Sequence, residues 1–301
     1  MTVLVTGAGG FIGRTVVRRL LDEGIAVAAV DRSGAFPADG DPLRRADWRS
    51  TDLARPFDDP GWPARCDAVI HLAQSARFRE FPDGADDLFS VNCHATLRLL
   101  DYARRAGARR FLLASSGSLY ARSPRPIPEE ATVSPPDFYA LTKLVAEQIA
   151  GAYRPWLEVA ALRLFCVYGP GQRDRLVPNL IRRVRAGEPV VVEGDGGLRI
   201  NPLHVRDAAG ILRRLIDTPA APAVLNVGGP EAVSIMDMAR RIGVLVGRAP
   251  NLDRRPSQGE QGLVGDIGAL RRALGDVFTV PFDDGLRETV QEAVASVQGP
   301  V

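Results

Sequence analysis

Val3-Leu4-Val5-Thr6-Gly7-Ala8-Gly9-Gly10-Phe11-Ile12-Gly13 stands near the start of the chain. Its first four residues are apolar or β-branched and read as a strand, while Phe11 to Glu23 carries the apolar period of a helix. Glycines at 7, 10 and 13 permit a tight turn, let backbone approach a pyrophosphate and allow close helix–strand packing. The helix N-terminus adds N–H donors and a partial positive charge. A dinucleotide site is therefore expected here. Asp31 strengthens the reading: it ends the next apolar run, 18 residues after Gly13, where a carboxylate can accept hydrogen bonds from both ribose hydroxyls. The same charge repels a 2′-phosphate, so NAD is favoured over NADP. Arg32 is the one neighbour that could pair with a 2′-phosphate if Asp31 turned away.

Working outward, strands are expected at Val3-Thr6, Ala26-Val30, Ala68-Leu72, Phe111-Ala114 and Val159-Phe165, and helices at Phe11-Glu23, Asp86-Arg105 and Tyr139-Ala152. Short runs apolar on both faces, alternating with helices, predict a doubly wound (Rossmann) parallel α/β sheet. After about Gly169, Pro and Gly become frequent. Strands at Pro189-Glu193 and Val224-Val227 stand isolated, and helices follow at Ser234-Gly247, Asp266-Leu274 and Asp283-Ser296. This predicts an NAD-binding domain over 1–165, joined by parts of 199–226, and a smaller substrate-binding domain mainly over 166–301. Arg32 to Pro63 reads as loops around a short element, and no internal repeat is visible.

With 301 residues, 46% hydrophobic and 25% charged, the chain is neither disordered nor fibrous. Thirty-eight basic side chains face 36 acidic ones, and the arginines are scattered, so nucleic acid is not an expected partner. Three cysteines and three histidines lie dispersed, giving neither a disulfide framework nor a metal cluster. No apolar run approaches the roughly 18 residues of a membrane span, and no charged leader precedes the first strand. A soluble, cytoplasmic protein is expected. Thirty-seven of the basic residues are Arg; Lys143 alone is Lys.

That lysine follows Tyr139 at i+4, on one face of a helix. With five tyrosines in the chain, chance rarely places the only lysine there. Ser115-Ser116 ends an apolar strand, where a parallel sheet delivers side chains to its ligand crevice. Hydroxyl, phenol and ammonium around a nicotinamide can move a proton on or off a substrate hydroxyl while hydride crosses to the ring. An unperturbed phenol titrates near about 10, so a nearby ammonium and the cationic nicotinamide are expected to favour the phenolate.

Together these residues resemble the extended short-chain dehydrogenase/reductase family, in its NAD-dependent epimerase/dehydratase group, of which UDP-glucose 4-epimerase is an example. The resemblance runs through Thr6 to Gly13, Asp31, Asp52-Leu53, His71-Leu72-Ala73, Asn92, Ser115-Ser116 with Leu119-Tyr120, and Tyr139 to Lys143. It continues through Arg163-Leu164-Phe165, Val167-Tyr168-Gly169-Pro170, Gly194-Asp195-Gly196, and Leu203-His204-Val205 with Asp207. It implies Ser116, Tyr139 and Lys143 as the catalytic trio. Tyr139 would be general acid and base, Ser116 would polarise the reacting group, and Lys143 would hold the ribose and lower the phenol pKa. It also implies Phe11 and Ile12 over the pyrophosphate, Asp31 on the ribose, and Asp52 with Leu53 at adenine. Leu72, Ala73, Gln74, Asn92 and Phe165 would border the cofactor. His71 and His204 would be structural, and two long helices would form a homodimer interface.

The departures bear on the reaction. Dehydratases of the family carry an Asp-Glu pair after the catalytic hydroxyl residue and decarboxylases keep the Glu, whereas this chain has Gly117 and Ser118. Epimerases that deprotonate carbon need a further Cys or Lys base, and no second lysine exists. The expected activity is thus epimerisation of a sugar hydroxyl, at C4, on a nucleotide-diphosphate sugar through a transient ketone. A dehydrogenase or ketoreductase with net redox chemistry is the alternative. A cofactor-sensing protein with a vestigial site is disfavoured, since all three catalytic side chains are present. Cys166 replaces the Asn that the family places against the diphosphate; Arg175, Arg199 and Arg255 are the candidate diphosphate clamp.

Overall fold

Val3, Leu4 and Val5 are completely buried, as a strand covered on both faces requires. The computed structural model describes residues 1–32, 37–57, 61–219, 221–257, 259 and 262–295. In chain order it begins β1 (Thr2–Thr6), α1 (Phe11–Asp22), β2 (Ala26–Asp31), β3 (Asp47–Ser50), β4 (Ala68–His71), α2 (Ala85–Phe89), α3 (Ala95–Arg105), β5 (Arg110–Ser116), α4 (Phe138–Ala152) and β6 (Glu158–Leu164). It continues with β7 (Val167–Tyr168), α5 (Leu176–Ala186), β8 (Val190–Glu193), β9 (Arg199–Ile200), β10 (Leu203–His204), α6 (Val205–Asp217) and β11 (Val224–Val227). The last described elements are β12 (Val233–Ser234), α7 (Ile235–Val246), β13 (Leu252–Arg255), β14 (Gly262–Leu263), α8 (Gly268–Leu274) and α9 (Phe282–Ala295).

Seven strands pair in the order β11-β6-β5-β4-β1-β2-β3, every neighbour parallel. The fold class is the expected one. The strand order reverses at β1 and β4, paired with Thr6 opposite His71, and such a switch point leaves a crevice beyond the strands' carboxyl ends. Val3 and Val5 join the apolar cluster with α1, α6 and α8; Leu4 joins the other, with α3 and α4. A third cluster gathers side chains of α5, α7 and α9.

The expected helix over Asp86-Arg105 is interrupted. A π-helical turn, Ser90–His94, separates α2 from α3 and carries Asn92 and Cys93 inward. Two helices, α5 and α6, were not anticipated, while β3 is a short element within the stretch Arg32 to Pro63, where one was expected. In α5, Pro178 reads as a breaker in the sequence. It lies in the first turn, where its missing N–H would have had no intrahelical partner. The expected end of the last helix, Ser296, lies outside the described residues.

Candidate active site

The glycines do three different jobs. Gly7 has φ +67°, and a Cβ there would stand 2.7 Å from the Ala73 nitrogen, where β1 and the segment after β4 converge. A Cβ on Gly13 would meet the Gly7 carbonyl oxygen at 2.0 Å, so α1 sits directly on the turn. Gly10 precedes α1, its N–H donating to the Gly7 oxygen at 3.0 Å. α1 has no side-chain cap and no acid in its first turn, which keeps its positive end for an anion. Asp31 accepts from the Gly9 N–H at 3.0 Å, which turns its carboxylate toward the glycine loop.

The loop opens on a cleft of about 1220 Å³. Gly7, Gly10, Phe11, Ile12, Gly13, Asp31, Arg32, Asp52, Leu53, Leu72, Ala73 and Gln74 line it. Ser116, Tyr139, Lys143, Cys166 and Arg175 line the same cleft. A cradle of missing Cβ atoms, an uncapped helix start and a carboxylate beyond it suit a dinucleotide. Two histidines flank this framework from within. His71, buried between the hydroxyls of Thr6 at 2.7 Å and Thr96 at 3.1 Å, is pushed down to about 3 by burial, then by Lys143. His204 is buried at the start of α6.

Asp137 caps α4 by accepting from the Ala140 N–H at 2.8 Å, and so presents Tyr139 and Lys143 from the helix's first two turns. The Tyr139 hydroxyl donates to Gln74 Oε1 at 3.2 Å. Burial raises its pKa; the Ser116 hydroxyl and then the Arg175 guanidinium pull it back. Ser116 Oγ lies 2.8 Å from Ser118 Oγ and accepts from the Ser118 N–H at 3.1 Å. Lys143 is only 4% exposed. Its Nζ donates to the Ala114 carbonyl at 3.0 Å and sits 5.9 Å from the Tyr139 ring centroid. Burial lowers it from 10.5 to about 8, opposed by Cys93 and then Glu147. Arg175 is thus a second cation acting on the phenol, beside the expected Lys143 ammonium near its ring.

Two expected cofactor contacts stand behind the walls. Buried Asn92 donates to Thr142 Oγ1 at 2.9 Å and accepts from the Ser75 N–H, bridging the π turn, α4 and the segment after β4. Phe165 is buried against Tyr120, Gly117 and Gly265. Neither lines the cleft. Deeper still, Ser115 donates to Glu147, which is held by Arg163 Nε at 3.0 Å and Nη2 at 2.8 Å. This fixes β5, α4 and β6 together beneath the site.

Cys166 lines the cleft with φ +37°, and burial pushes its thiol up to about 12. Arg175 lines it too, its guanidinium carbon 4.2 Å from the centroid of Phe78. Arg199 and Arg255 do not: both are exposed, and Arg255 is paired with Asp253 at 2.6 Å. Phe78, Arg79 and Arg173 line the cleft without having been anticipated. They sit in segments with no period, and only their Arg and Phe content near Tyr139 and Arg175 could have pointed to them.

Three comparisons bear on this geometry. The family model "NAD dependent epimerase/dehydratase family" matches residues 3–228. A dTDP-4-dehydro-6-deoxy-D-allose reductase from Streptomyces sp is 29% identical over 96% of this chain and 95% of its own. A UDP-glucuronate 4-epimerase from Thermodesulfobacterium geofontis (strain OPF15) is 28% identical over 98% and 97%. Among solved structures, MoeE5 in complex with UDP-glucuronic acid and NAD has a TM-score of 0.82 at 31% identity, covering 98% of this chain and 100% of that one.

Proposed function

The chain belongs to the NAD dependent epimerase/dehydratase family, and on that premise we propose that it is an NAD-dependent epimerase inverting C4 of a nucleotide-diphosphate sugar through a transient 4-keto sugar. One observation carries this: Ser116, Tyr139 and Lys143 line a single cleft with the glycine loop, and Gly117 and Ser118 follow Ser116 where an eliminating enzyme needs an acid. The one carboxylate near Tyr139 in that lining, Asp137, is engaged in capping α4.

Gly7, Gly10, Gly13 and Asp31 would hold NAD, which when bound supplies the acceptor and donor of hydride at the sugar carbon. The Tyr139 oxygen takes the proton of the C4 hydroxyl as the carbon is oxidised and returns it after the ketone has turned over. Ser116 Oγ holds that oxygen in line. Lys143, anchored on the Ala114 carbonyl, keeps a positive charge beside the phenol and the ribose. Gln74 Oε1 accepts a hydrogen bond from the protonated phenol between the two half-reactions. We place this chemistry on a homodimer in the cytoplasm.

A ketoreductase is the second reading. It is favoured by the similarity to the allose reductase and by the raised Tyr139 pKa, which keeps the phenol ready as an acid. Purified protein assayed for bound cofactor and turnover separates the two. Retained NAD with sugar interconversion and no net NADH is expected, and stoichiometric formation or consumption of NADH would refute epimerisation.

A further inference from the structure

The phenol of Tyr139 has to work in two protonation states. As the C4 hydroxyl is oxidised, its proton passes to the tyrosine oxygen and turns phenolate into phenol; on reduction the proton returns. Burial favours the neutral phenol, the Ser116 hydroxyl and then the Arg175 guanidinium favour the ionised one, and Asp137 opposes them. The Lys143 ammonium stands 5.9 Å from the ring centroid. The charged groups among these pull in one direction at every stage of the reaction. A carboxamide differs, because it carries an acceptor and a donor on one rotor. Gln74 lines the cleft, and its Oε1 accepts from the Tyr139 hydroxyl at 3.2 Å. Its Nε2 has no protein partner among the described residues.

The fold builds this contact from both sides. Ahead of Gln74 the Ala73 N–H donates to Thr6 Oγ1 at 3.4 Å, and behind it the Ser75 N–H donates to Asn92 Oδ1 at 3.4 Å. Asn92 Nδ2 donates to Thr142 Oγ1 at 2.9 Å, and that hydroxyl donates to the Tyr139 carbonyl at 2.8 Å. The backbone carrying Gln74 and the backbone carrying Tyr139 are therefore closed into one circuit through buried Asn92, while Phe78 packs edge-on against the phenol ring at 5.8 Å. A terminal amide turns about a broad two-fold torsion, so exchanging Oε1 for Nε2 moves no backbone. We propose that Gln74 is a further catalytic residue, whose amide donates from Nε2 to the Tyr139 phenolate before the substrate proton is taken and turns to accept at Oε1 from the phenol afterwards. The proposal rests on Tyr139 as acid and base in the epimerase reading. A hydrogen bond to an ionised group is about twice as strong as one between neutral groups, so the net effect of the amide is to lower the proton affinity of the phenol.

Two variants of the NAD-loaded enzyme test this. Gln74→Leu removes both halves of the amide; Gln74→Glu keeps its size, leaves only acceptors and adds a negative charge beside the phenol. Ultraviolet difference titration of each protein against its Tyr139→Phe counterpart isolates the ionisation of this phenol without any sugar. The midpoint is expected to rise by about one pH unit in Gln74→Leu and by more in Gln74→Glu, with NAD affinity within about twofold of the parent's in both. With UDP-glucose as the probe sugar, kcat at neutral pH should fall roughly tenfold in Gln74→Leu with KM held, and the rise of kcat with pH should move upward with the titration midpoint. Unshifted midpoints, or loss of NAD affinity in place of a shift, would make Gln74 part of the cofactor wall and overturn the proposal. A parent enzyme whose Tyr139 does not ionise before circular dichroism shows it unfolding would overturn it too. Failure to turn over UDP-glucose or UDP-glucuronate would count against the epimerase reading, and the titration, which needs no sugar, would still decide Gln74.

Discussion

Lys143→Met separates what the lysine does for catalysis from what it costs the fold. Lys143 is buried, with its pKa lowered from 10.5 to about 8 chiefly by burial. Since each unit corresponds to about 1.4 kcal/mol, holding this charge in the folded protein costs about 3 kcal/mol at neutral pH. Methionine fills a similar, flexible volume without the charge, but forfeits the hydrogen bond to the Ala114 carbonyl, worth about 1–2 kcal/mol. The variant is therefore expected to be on the order of 1–2 kcal/mol more stable than the parent at pH 7. Below about pH 8 the lysine is protonated both folded and unfolded, and the full penalty applies. Between 8 and 10.5 the unfolded chain binds the proton that the folded protein has released, so parental stability rises with pH and the gap closes. Urea unfolding at several pH values between 7 and 10, on protein freed of bound nucleotide, measures this. Turnover should meanwhile collapse, and Lys143→Arg should also impair it despite keeping the charge. A Met variant less stable than the parent by a pH-independent amount, or one that turns over normally, would refute the reasoning.

Tyr139→Phe removes the group that exchanges the substrate proton and should lower kcat by roughly 10²–10⁴-fold, leaving NAD affinity nearly unchanged in a titration; near-normal kcat would place the acid–base group elsewhere. Gly13→Ala forces a methyl to within 2.0 Å of the Gly7 carbonyl. It should abolish NAD binding and lower the unfolding temperature by several degrees, a contact between backbone and Cβ having no side chain to yield. An alanine variant that binds NAD normally would show the packing to be looser than described.

The parts of the site legible in the sequence are those written in short-range spacing. The glycine loop, Asp31, Tyr139 and Lys143 each follow from a strand end or an i,i+4 relation, and the cleft lining contains them all. What depends on side-chain direction was not legible. Asn92 and Phe165 sit at the right points of the chain, yet the π turn and the packing on Tyr120 carry them behind the walls. Arg199 lies on β9, a two-residue strand on which it is exposed while Ile200 is buried. Phe78, Arg79 and Arg173 come from loops, where no period announces orientation and only the folded chain brings them to the cleft, Phe78 against Tyr139.

The ratio of 37 arginines to one lysine acquires a physical reason at this site. Arginine stays protonated in proteins, so every buried guanidinium needs a permanent counter-charge. Arg163 has one, the two-point pair with Glu147. The position four residues after Tyr139 has no such partner: Lys143 donates to a neutral carbonyl, and Glu147 acts on it only weakly, after burial and Cys93. A lysine is tolerated there because its compact ammonium needs one acceptor and its pKa can fall to about 8, close to where a proton relay must operate. Arg175 occupies the opposite situation. Half-buried in the cleft lining, it stays charged there, and its guanidinium lowers the pKa of the Tyr139 phenol after the Ser116 hydroxyl does. An anion bound beside Arg175 would offset that effect and raise the phenol's proton affinity, making Tyr139 a weaker acid and a stronger base.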